Sequence, residues 1–539
     1  MDPTDLTGPE RALWQAFPRG GLVDLRTGDP DTDDPANAAG WGEDRAVRAE
    51  VIAALLRGAV PAEPGHTAAL RLAGARVDGP LDLRHTDIPY PLWLPGCALV
   101  DQVSLRNVRL RSLNLEGSCL AAGMDTTLAV IDGNLRMAGC RCAGLVRLTG
   151  TRIRGALLLQ EAQLANPDGI ALLANRLVVE DDALCQGLSA VGNVRLAGAR
   201  IGGMLSLDGA HLADPRGRAF TGFNLTVGAR LSARHGFAVD GEMVLVRATV
   251  GEVDLSSAQL RNPGGNALLA DGLTVAGALH LADGFTATGT VRLTRARIGG
   301  PVNLEGARLT GPAGGPALAC RHADAGELRL RPAEPVEGAV DLRHARFELI
   351  QDDPATWPDA LIADGLEYRA LEPSLPARRR LDWLRRDPDG YVPRAYEQLA
   401  ATYRTLGDDA GARTVLLAKQ RHRRERLPWY TRTWGWFQEV TVGYGYRPLR
   451  AAGWFVLLAV LGTASFGHHH PPPVPDTTPP AFNPLVYTLD LLLPVIDLGQ
   501  EHGYDPRGDQ RWLAYLLILT GWLLASTIAA GVIRVLRRD

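Results

Sequence analysis

A repeat of about 48 residues constrains the fold of this chain more than any other feature of its sequence. Three copies align without a gap: VRLTGTRIRGALLLQEAQL at 146–164, VRLAGARIGGMLSLDGAHL at 194–212 and VRLTRARIGGPVNLEGARL at 291–309. The series is extended by a copy one residue shorter at 243–260, an early copy at 70–88 and a fragment at 340–349. Self-similarity of this kind predicts a solenoid whose repeats stack on one another.

The spacing of apolar residues within a copy indicates the kind of solenoid. Leu196, Ile201, Leu207 and Leu212 follow one another in steps of five or six, whereas a helix requires steps of three and four and a flat strand steps of two. Such steps predict short strands joined by corners, in coils of roughly 20 to 25 residues, two coils per repeat. The pattern resembles a degenerate pentapeptide repeat. We therefore predict a mainly β fold, a right-handed parallel β-helix over residues 67–350.

Acidic and amide residues recur between the apolar positions of the repeat. Because they alternate with inward-facing residues, we expect them to form a solvated outer stripe rather than a carboxylate pair for catalysis. The residues in question are Asp82, Asn114, Asp254, Asn303 and Asp341.

Segments of different character flank the repeats. Residues 1–66 include an amphipathic stretch at 43–57, which predicts a helical cap over the first coil. Residues 351–430 form a predicted helical linker, in which 393–426 resembles one tetratricopeptide hairpin with its turn at Gly407.

Two apolar segments near the C-terminus, 449–467 and 512–533, are predicted to be transmembrane helices within a membrane domain over 431–539. Arginines flank both segments and acidic residues dominate the loop between them, which predicts cytoplasmic N- and C-termini. No signal peptide pattern opens the sequence, in agreement with that orientation. The expected localisation is the cell membrane, with a multi-pass topology and the lipid bilayer as a partner.

The apolar segment 482–500 lies between the two predicted spans and is too short to cross a bilayer. It is predicted to be either an interfacial helix or a re-entrant segment, and in the second case Asp490 and Asp497 would line a cation path in a homo-oligomer. A basic cluster precedes the first span and predicts lipid contact by Lys419, Arg421, Arg423, Arg424 and Arg426.

Charge and motifs narrow the function. The net charge of −3 gives no indication of a nucleic-acid partner. The six cysteines lack the spacing of a zinc site and are predicted to be small buried hydrophobic residues. We identify no catalytic residue, no metal site and no cofactor motif in the sequence.

The repeat, the hairpin YEQLAATYRTLGDDAGAR and the tail FNPLVYTLDLLLPVIDLGQE together resemble a group of actinobacterial membrane proteins catalogued as membrane-associated oxidoreductases. That resemblance implies an oxidoreductase but carries over no catalytic residue. Two other hypotheses come from the residues: a membrane-anchored scaffold that recruits a protein partner on its solenoid face, which we favour, and an oligomeric two-span channel.

Overall fold

The computed structural model describes residues 5–425, 448–474, 480–493 and 496–536. The chain divides into two compact units, residues 1–375 with 382–398 and residues 376–381 with 399–539. The first unit contains the repeats and the second contains the C-terminal helices.

The repeats form a parallel β-solenoid of about 14 turns, which confirms the predicted solenoid. Each coil has four short strands, and each strand pairs in parallel with the strands one coil before and one coil after it. We name the four resulting faces after one coil: face 1 contains Leu113–Asn114, face 2 Cys119–Leu120, face 3 Met124–Asp125 and face 4 Val130–Ile131. The right-handed winding stays a prediction.

The strands of the first coils are Leu70–Ala73, Arg76–Asp78, Leu81–Asp82, Asp87–Ile88, Leu92–Trp93, Ala98–Leu99, Val103–Ser104, Arg109–Leu110, Leu113–Asn114, Cys119–Leu120, Met124–Asp125, Val130–Ile131, Leu135–Arg136, Arg141–Ala143, Val146–Arg147, Arg152–Ile153 and Leu157–Leu158. The later strands, several of which continue around a corner, are Gln163–Leu173, Val178–Val179, Ala183–Leu184, Ser189–Arg195, Arg200–Ile201, Leu205–Ser206, His211–Thr221, Thr226–Ser232, Ala238–Val244, Thr249–Asp254, Gln259–Leu269, Thr274–Val275, Leu279–His280, Thr286–Arg292, Arg297–Asn303, Arg308–Thr310, Pro316–Ala319, Asp324–Leu330, Ala339–Asp341, Arg346–Asp352, Ala360–Ile362 and Glu367–Glu372.

Long and short coils alternate through the repeats. Val146 pairs with Leu172 and Leu172 pairs with Val194, so the chain advances 26 and then 22 residues. The longer coil has extra residues at 166–169, where the strand Gln163–Leu173 turns the corner between faces 2 and 3 with a shift in register, and we call these residues its loop. The shorter coil turns that corner at Gly192, which has φ +110°, and a Cβ atom there would overlap the carbonyl oxygen of Asn166. Two coils therefore make one 48-residue repeat.

Leucine side chains stacked along the axis form the core. On face 1, Leu113 pairs with Leu135 and Leu135 with Leu157, and each side chain is buried. Burying such a side chain stabilises the fold by about 2 kcal/mol. The same position is repeated in every coil, so the core is continuous along the solenoid.

Residues with left-handed backbone conformation turn two of the four corners in each coil. At the corner between faces 3 and 4 they include Asn107 (φ +54°), Arg176 (φ +56°), Gly198 (φ +66°) and His322 (φ +54°). A small buried residue usually follows, such as Ala199, so that successive backbones approach closely. The corner thus accepts many residue types, although glycine has the lowest steric cost there.

The N-terminal segment extends the solenoid by further strands and covers it with helices. Leu22–Asp24 and Ala46–Arg48 pair with the first strands of faces 1 and 2. The α-helices here are α1 (Gly8–Ala16), α2 (Pro30–Asp33) and α3 (Ala49–Leu56). The helix predicted over 43–57 is shorter, because residues 43–45 form a 3₁₀ turn and 46–48 a strand.

At the other end the strands continue to Glu372, beyond the boundary predicted at residue 350. Trp383 packs edge-to-face on Tyr368 at a centroid distance of 6.3 Å, and Gln398 Nε2 donates to the Tyr368 carbonyl at 2.7 Å. The segment 382–398 therefore closes the last coil. The helices in this part of the chain are α4 (Ala377–Leu384), α5 (Pro393–Thr405) and α6 (Asp409–Glu425), with the turn between α5 and α6 at Gly407.

The last three helices are α7 (Pro448–His468), α8 (Pro484–Leu492) and α9 (Asp509–Leu536). Their shared core contains Phe466, Tyr487, Leu491 and Leu517. Helix α8 is the segment predicted to be either interfacial or re-entrant, and it packs on both α7 and α9.

The two predicted transmembrane helices, at 449–467 and 512–533, are wrong. Within the described residues, no helix has both the length and the apolar character that a membrane crossing requires. Part of the apolar surface attributed to lipid contact is buried against α8 instead, and Gly462, Thr463 and Ser465 interrupt the apolar run of α7. The predicted multi-pass membrane localisation is corrected for the same reason.

Candidate functional site

Outward-facing residues of the solenoid form columns, since equivalent positions of successive coils are hydrogen-bonded neighbours about 4.8 Å apart. On face 4 one column contains Arg152, Val178, Arg200 and Thr226, each in register with the next. The corner residue two positions earlier forms a second column beside it. These two columns are the part of the surface that we identify as the candidate site.

Six of the exposed arginines in these columns form no ion pair and no side-chain hydrogen bond with another residue that the structure describes, whereas Arg109 and Arg346 bind carboxylates. We call this set the arginine edge: Arg152, Arg176, Arg200, Arg247, Arg295 and Arg297. Across seven coils the edge extends about 29 Å. Two acidic residues, Glu180 and Asp324, lie beside it.

Arginines on the other faces are largely neutralised by neighbouring carboxylates. Arg230 binds Glu252 at 2.9 Å on face 1, and Arg261 binds Asp240 at 2.5 Å on face 2. Arg292 on face 3 binds Asp271 at 2.7 Å. The arginine edge is therefore a band of uncompensated positive charge on a chain whose net charge is −3.

The sequence contains a signal for this edge that our predictions missed. The three gapless copies place an arginine directly before a buried isoleucine, at Arg152, Arg200 and Arg297. Sequence alone does not show that the corner arginines Arg176 and Arg247 lie beside them, because that requires the register of the coils.

The acidic and amide residues predicted to form one outer stripe have a different role. Asn114, Asp254 and Asn303 lie on face 1, whereas Asp82 and Asp341 lie on face 3. A side-chain oxygen of each accepts the N–H two residues later, at 2.9–3.2 Å, which holds the corner as an Asx turn. The predicted single solvated stripe is wrong, because the five residues hold corners on two opposite faces.

Asp341 is the most buried of these residues. Its carboxylate is fully shielded from solvent and binds Arg321 at 2.5 Å and Arg343 at 2.7 Å. Burial acts to raise its pKa, but the hydrogen bonds from Arg343 and Arg321 outweigh burial, so the pKa is lowered. Asp341 is thus an ionised residue with a structural role, held between two arginines.

The cysteines lie in the solenoid core as free thiols, apart from Cys119, which is partly exposed. Burial raises the pKa of Cys97, Cys185 and Cys320 to about 12, so these thiols stay protonated and unreactive. Within the described residues, no group of three or more histidine, cysteine or acidic side chains is arranged to hold a metal ion.

The two aspartates predicted for a pore lie in the second unit, where each accepts backbone hydrogen bonds. Asp490 is buried and accepts three backbone N–H groups, from Leu498, Gln500 and Glu501. Asp497 is exposed and accepts the N–H of Gly499. Asp490 thus holds the loop that follows α8, and Asp497 holds one turn within it.

Three residues of the basic cluster lie on α6, where Arg421 and Arg423 are exposed and Lys419 is half-buried. The side chain of Arg424 and all of Arg426 lie outside the described residues. Lipid contact by this cluster was inferred because a predicted membrane span follows it at 449–467, and that prediction is wrong.

Two shallow grooves lie at the C-terminal end of the arginine edge. One, of about 470 Å³, is lined by charged and imidazole side chains, among them Arg295, Arg297, His322 and His344. The other, of about 600 Å³, shares Asp324, Arg346 and Glu367 with it and extends along face 4 to Gln398.

Comparison with protein-family models, with curated proteins and with solved structures finds no match to this chain. The oxidoreductase activity implied by the family resemblance therefore stays a prediction, and function is inferred from the geometry of the surface.

Proposed function

We propose that this chain is an interaction protein whose solenoid binds an extended acidic segment of a partner protein along the arginine edge. The observation that carries the proposal is the row of six exposed arginines that lack an ion pair with any described residue. Guanidinium groups bind carboxylates in a bidentate geometry, so a row of them selects a chain of acidic side chains.

The spacing of the edge supports an extended partner. Arg152 and Arg200 are two coils apart, about 9.6 Å, which is close to three residues of an extended chain. The whole edge matches an extended segment of about nine residues. Because the columns are fixed by continuous β-pairing, the arginines are held at these distances before the partner binds.

A protein partner fits better than a nucleic acid. The edge is a narrow band of two adjacent columns with acidic neighbours Glu180 and Asp324, and the whole chain carries a net charge of −3. Binding to a phosphate backbone generally uses a broad basic surface on a domain of high pI.

Fluorescence anisotropy with a labelled peptide of alternating aspartate and glutamate tests the proposal on the full chain. The triple variant Arg152→Gln, Arg200→Gln, Arg297→Gln is expected to bind about tenfold more weakly. The matched control replaces three exposed arginines of the other faces, Arg136, Arg195 and Arg308, and removes the same charge.

The control variant is expected to bind like the wild type. Equal weakening in both variants would show that net charge alone, and not the edge, attracts the peptide. Tighter binding of a single-stranded oligonucleotide than of the acidic peptide would overturn the assignment to a protein partner.

A further inference from the structure

Two histidines stack at one corner of the solenoid. The rings of His322 and His344 lie parallel within 13°, with their centroids 5.0 Å apart. Both occupy the left-handed position between faces 3 and 4 in successive coils, with φ +54° and +55°. Both are exposed to solvent, so they are available to a ligand.

The histidine pair forms one wall of the groove of about 470 Å³. Arg295 holds the same corner position one coil earlier, and Gly365 holds it one coil later. A side chain at Gly365 would overlap the imidazole ring of His344, so glycine leaves that end of the groove open.

The other wall is a column of alternating charge on face 4: Arg297, Asp324, Arg346 and Glu367, each in register with the next. Arg346 binds Glu367 at 2.8 Å, and these two charges largely cancel. Arg297 forms no ion pair with another described residue, although Asp324 is its register neighbour.

The groove is therefore cationic. Its three guanidiniums and two carboxylates give a net charge of +1, and the imidazole N–H groups add hydrogen-bond donors without adding negative charge.

The charged groups facing the imidazoles are those of the groove itself, Arg295, Arg297, Asp324, Arg346 and Glu367. The neighbouring arginines Arg321 and Arg343 are bound to Asp341 instead.

We infer that this groove binds a phosphate monoester carried by the acidic partner segment. The inference rests on the proposed function and names a modification of the partner. A phosphate monoester carries a charge of about −1.5 to −2 near neutral pH, which complements the cationic groove. Its oxygens accept hydrogen bonds from guanidinium and imidazole N–H groups, and the open groove has room for a phosphorylated side chain.

The experiment compares three probes on the full chain: an acidic peptide with a central phosphoserine, the same peptide with serine, and inorganic phosphate alone. We expect the phosphopeptide to bind about tenfold tighter than the serine peptide.

The test variant replaces both His322 and His344 with asparagine. Asn107 and Asn224 occupy the same left-handed corner in this solenoid, so the backbone tolerates the change. The matched control is His85→Asn, a histidine at the same corner outside the groove, with φ +58°. The double variant is expected to lose the phosphopeptide gain, and the control to keep it.

Four outcomes separate this inference from the proposed function. Equal binding of both peptides overturns the inference, while the arginine-edge variant still tests the proposed function. A phosphopeptide gain that survives the double variant also overturns the inference. Binding of inorganic phosphate without either peptide, lost in the double variant, overturns the proposed function and assigns the groove to a free phosphate compound. No binding of any probe overturns both.

Discussion

At the scale of single residues, glycines at the corners of the short coils allow short and long coils to alternate. Gly289 has φ +118°, and a Cβ atom on it would overlap the carbonyl oxygen of Asn262 in the previous coil. A side chain there would be strained by the left-handed backbone conformation and would also clash with the neighbouring loop.

We predict that Gly289→Ala lowers the free energy of unfolding by about 3 kcal/mol. The measurement is the urea midpoint of the β-sheet circular dichroism signal. Gly264→Ala is the matched control, because Gly264 has no atom of another residue within 4 Å of the added Cβ and no left-handed φ. An unchanged midpoint for Gly289→Ala would contradict the steric account of the alternating coils.

Residue patterns predicted which side chains face inward but not what the polar ones do. The apolar positions Leu196, Ile201, Leu207 and Leu212 are buried, as their spacing indicates. The acidic position was assigned to solvent because it alternates with them, yet Asp341 is fully buried by two arginines that come from different coils. That partnership depends on coil register, which one copy of the repeat does not reveal.

At the scale of elements, the loop after α8 is organised by one carboxylate. Asp490 Oδ1 accepts from the Leu498 N–H at 2.6 Å, and Oδ2 accepts from the N–H groups of Gln500 and Glu501 at 2.7 Å. An asparagine at this position has one acceptor oxygen, and its amide would meet other N–H donors.

We predict that Asp490→Asn destabilises this loop by about 2 kcal/mol. The amide hydrogens of Leu498, Gln500 and Glu501 should then exchange about thirtyfold faster. Asp497→Asn is the control, since within the described part of the chain this exposed side chain accepts the Gly499 N–H alone, and its replacement should leave the other amides unchanged. Unaltered protection in Asp490→Asn would show that helix packing alone holds the loop.

Sequence reasoning succeeded for elements whose spacing depends on local geometry and failed where it used apolar content alone. The hairpin pattern around Gly407 corresponds to α5 and α6. In contrast, the apolar residues of α7 and α9 resembled transmembrane spans, although Phe466 and Leu517 are buried against α8. Hydropathy does not distinguish a side chain that faces lipid from one that faces another helix.

At the scale of the whole molecule, the repeat unit is a pair of coils. In a solenoid each unit contacts only its neighbours, so removal of a complete unit preserves every type of contact. Removal of a single coil instead brings two long loops into adjacent layers, where a short glycine corner normally separates them.

We predict that deletion of residues 146–193, one complete 48-residue repeat, leaves a folded β-solenoid with a similar urea midpoint. Deletion of residues 172–193, a single short coil, should lower that midpoint clearly, because it removes Gly192 and places the loops 166–169 and 214–217 next to each other. The comparison uses circular dichroism of both proteins under the same conditions. Equal stability of the two would contradict the paired-coil unit.

The tolerance of the left-handed corners has a consequence for how such a surface diversifies. Successive coils place arginine, glycine, asparagine and histidine at one backbone position without altering the path of the chain. A mutation there changes the chemistry displayed at a fixed interval and leaves the leucine interior untouched. The solenoid therefore displays side chains at a constant axial spacing, and single substitutions at the corners can change its binding specificity without changing that spacing.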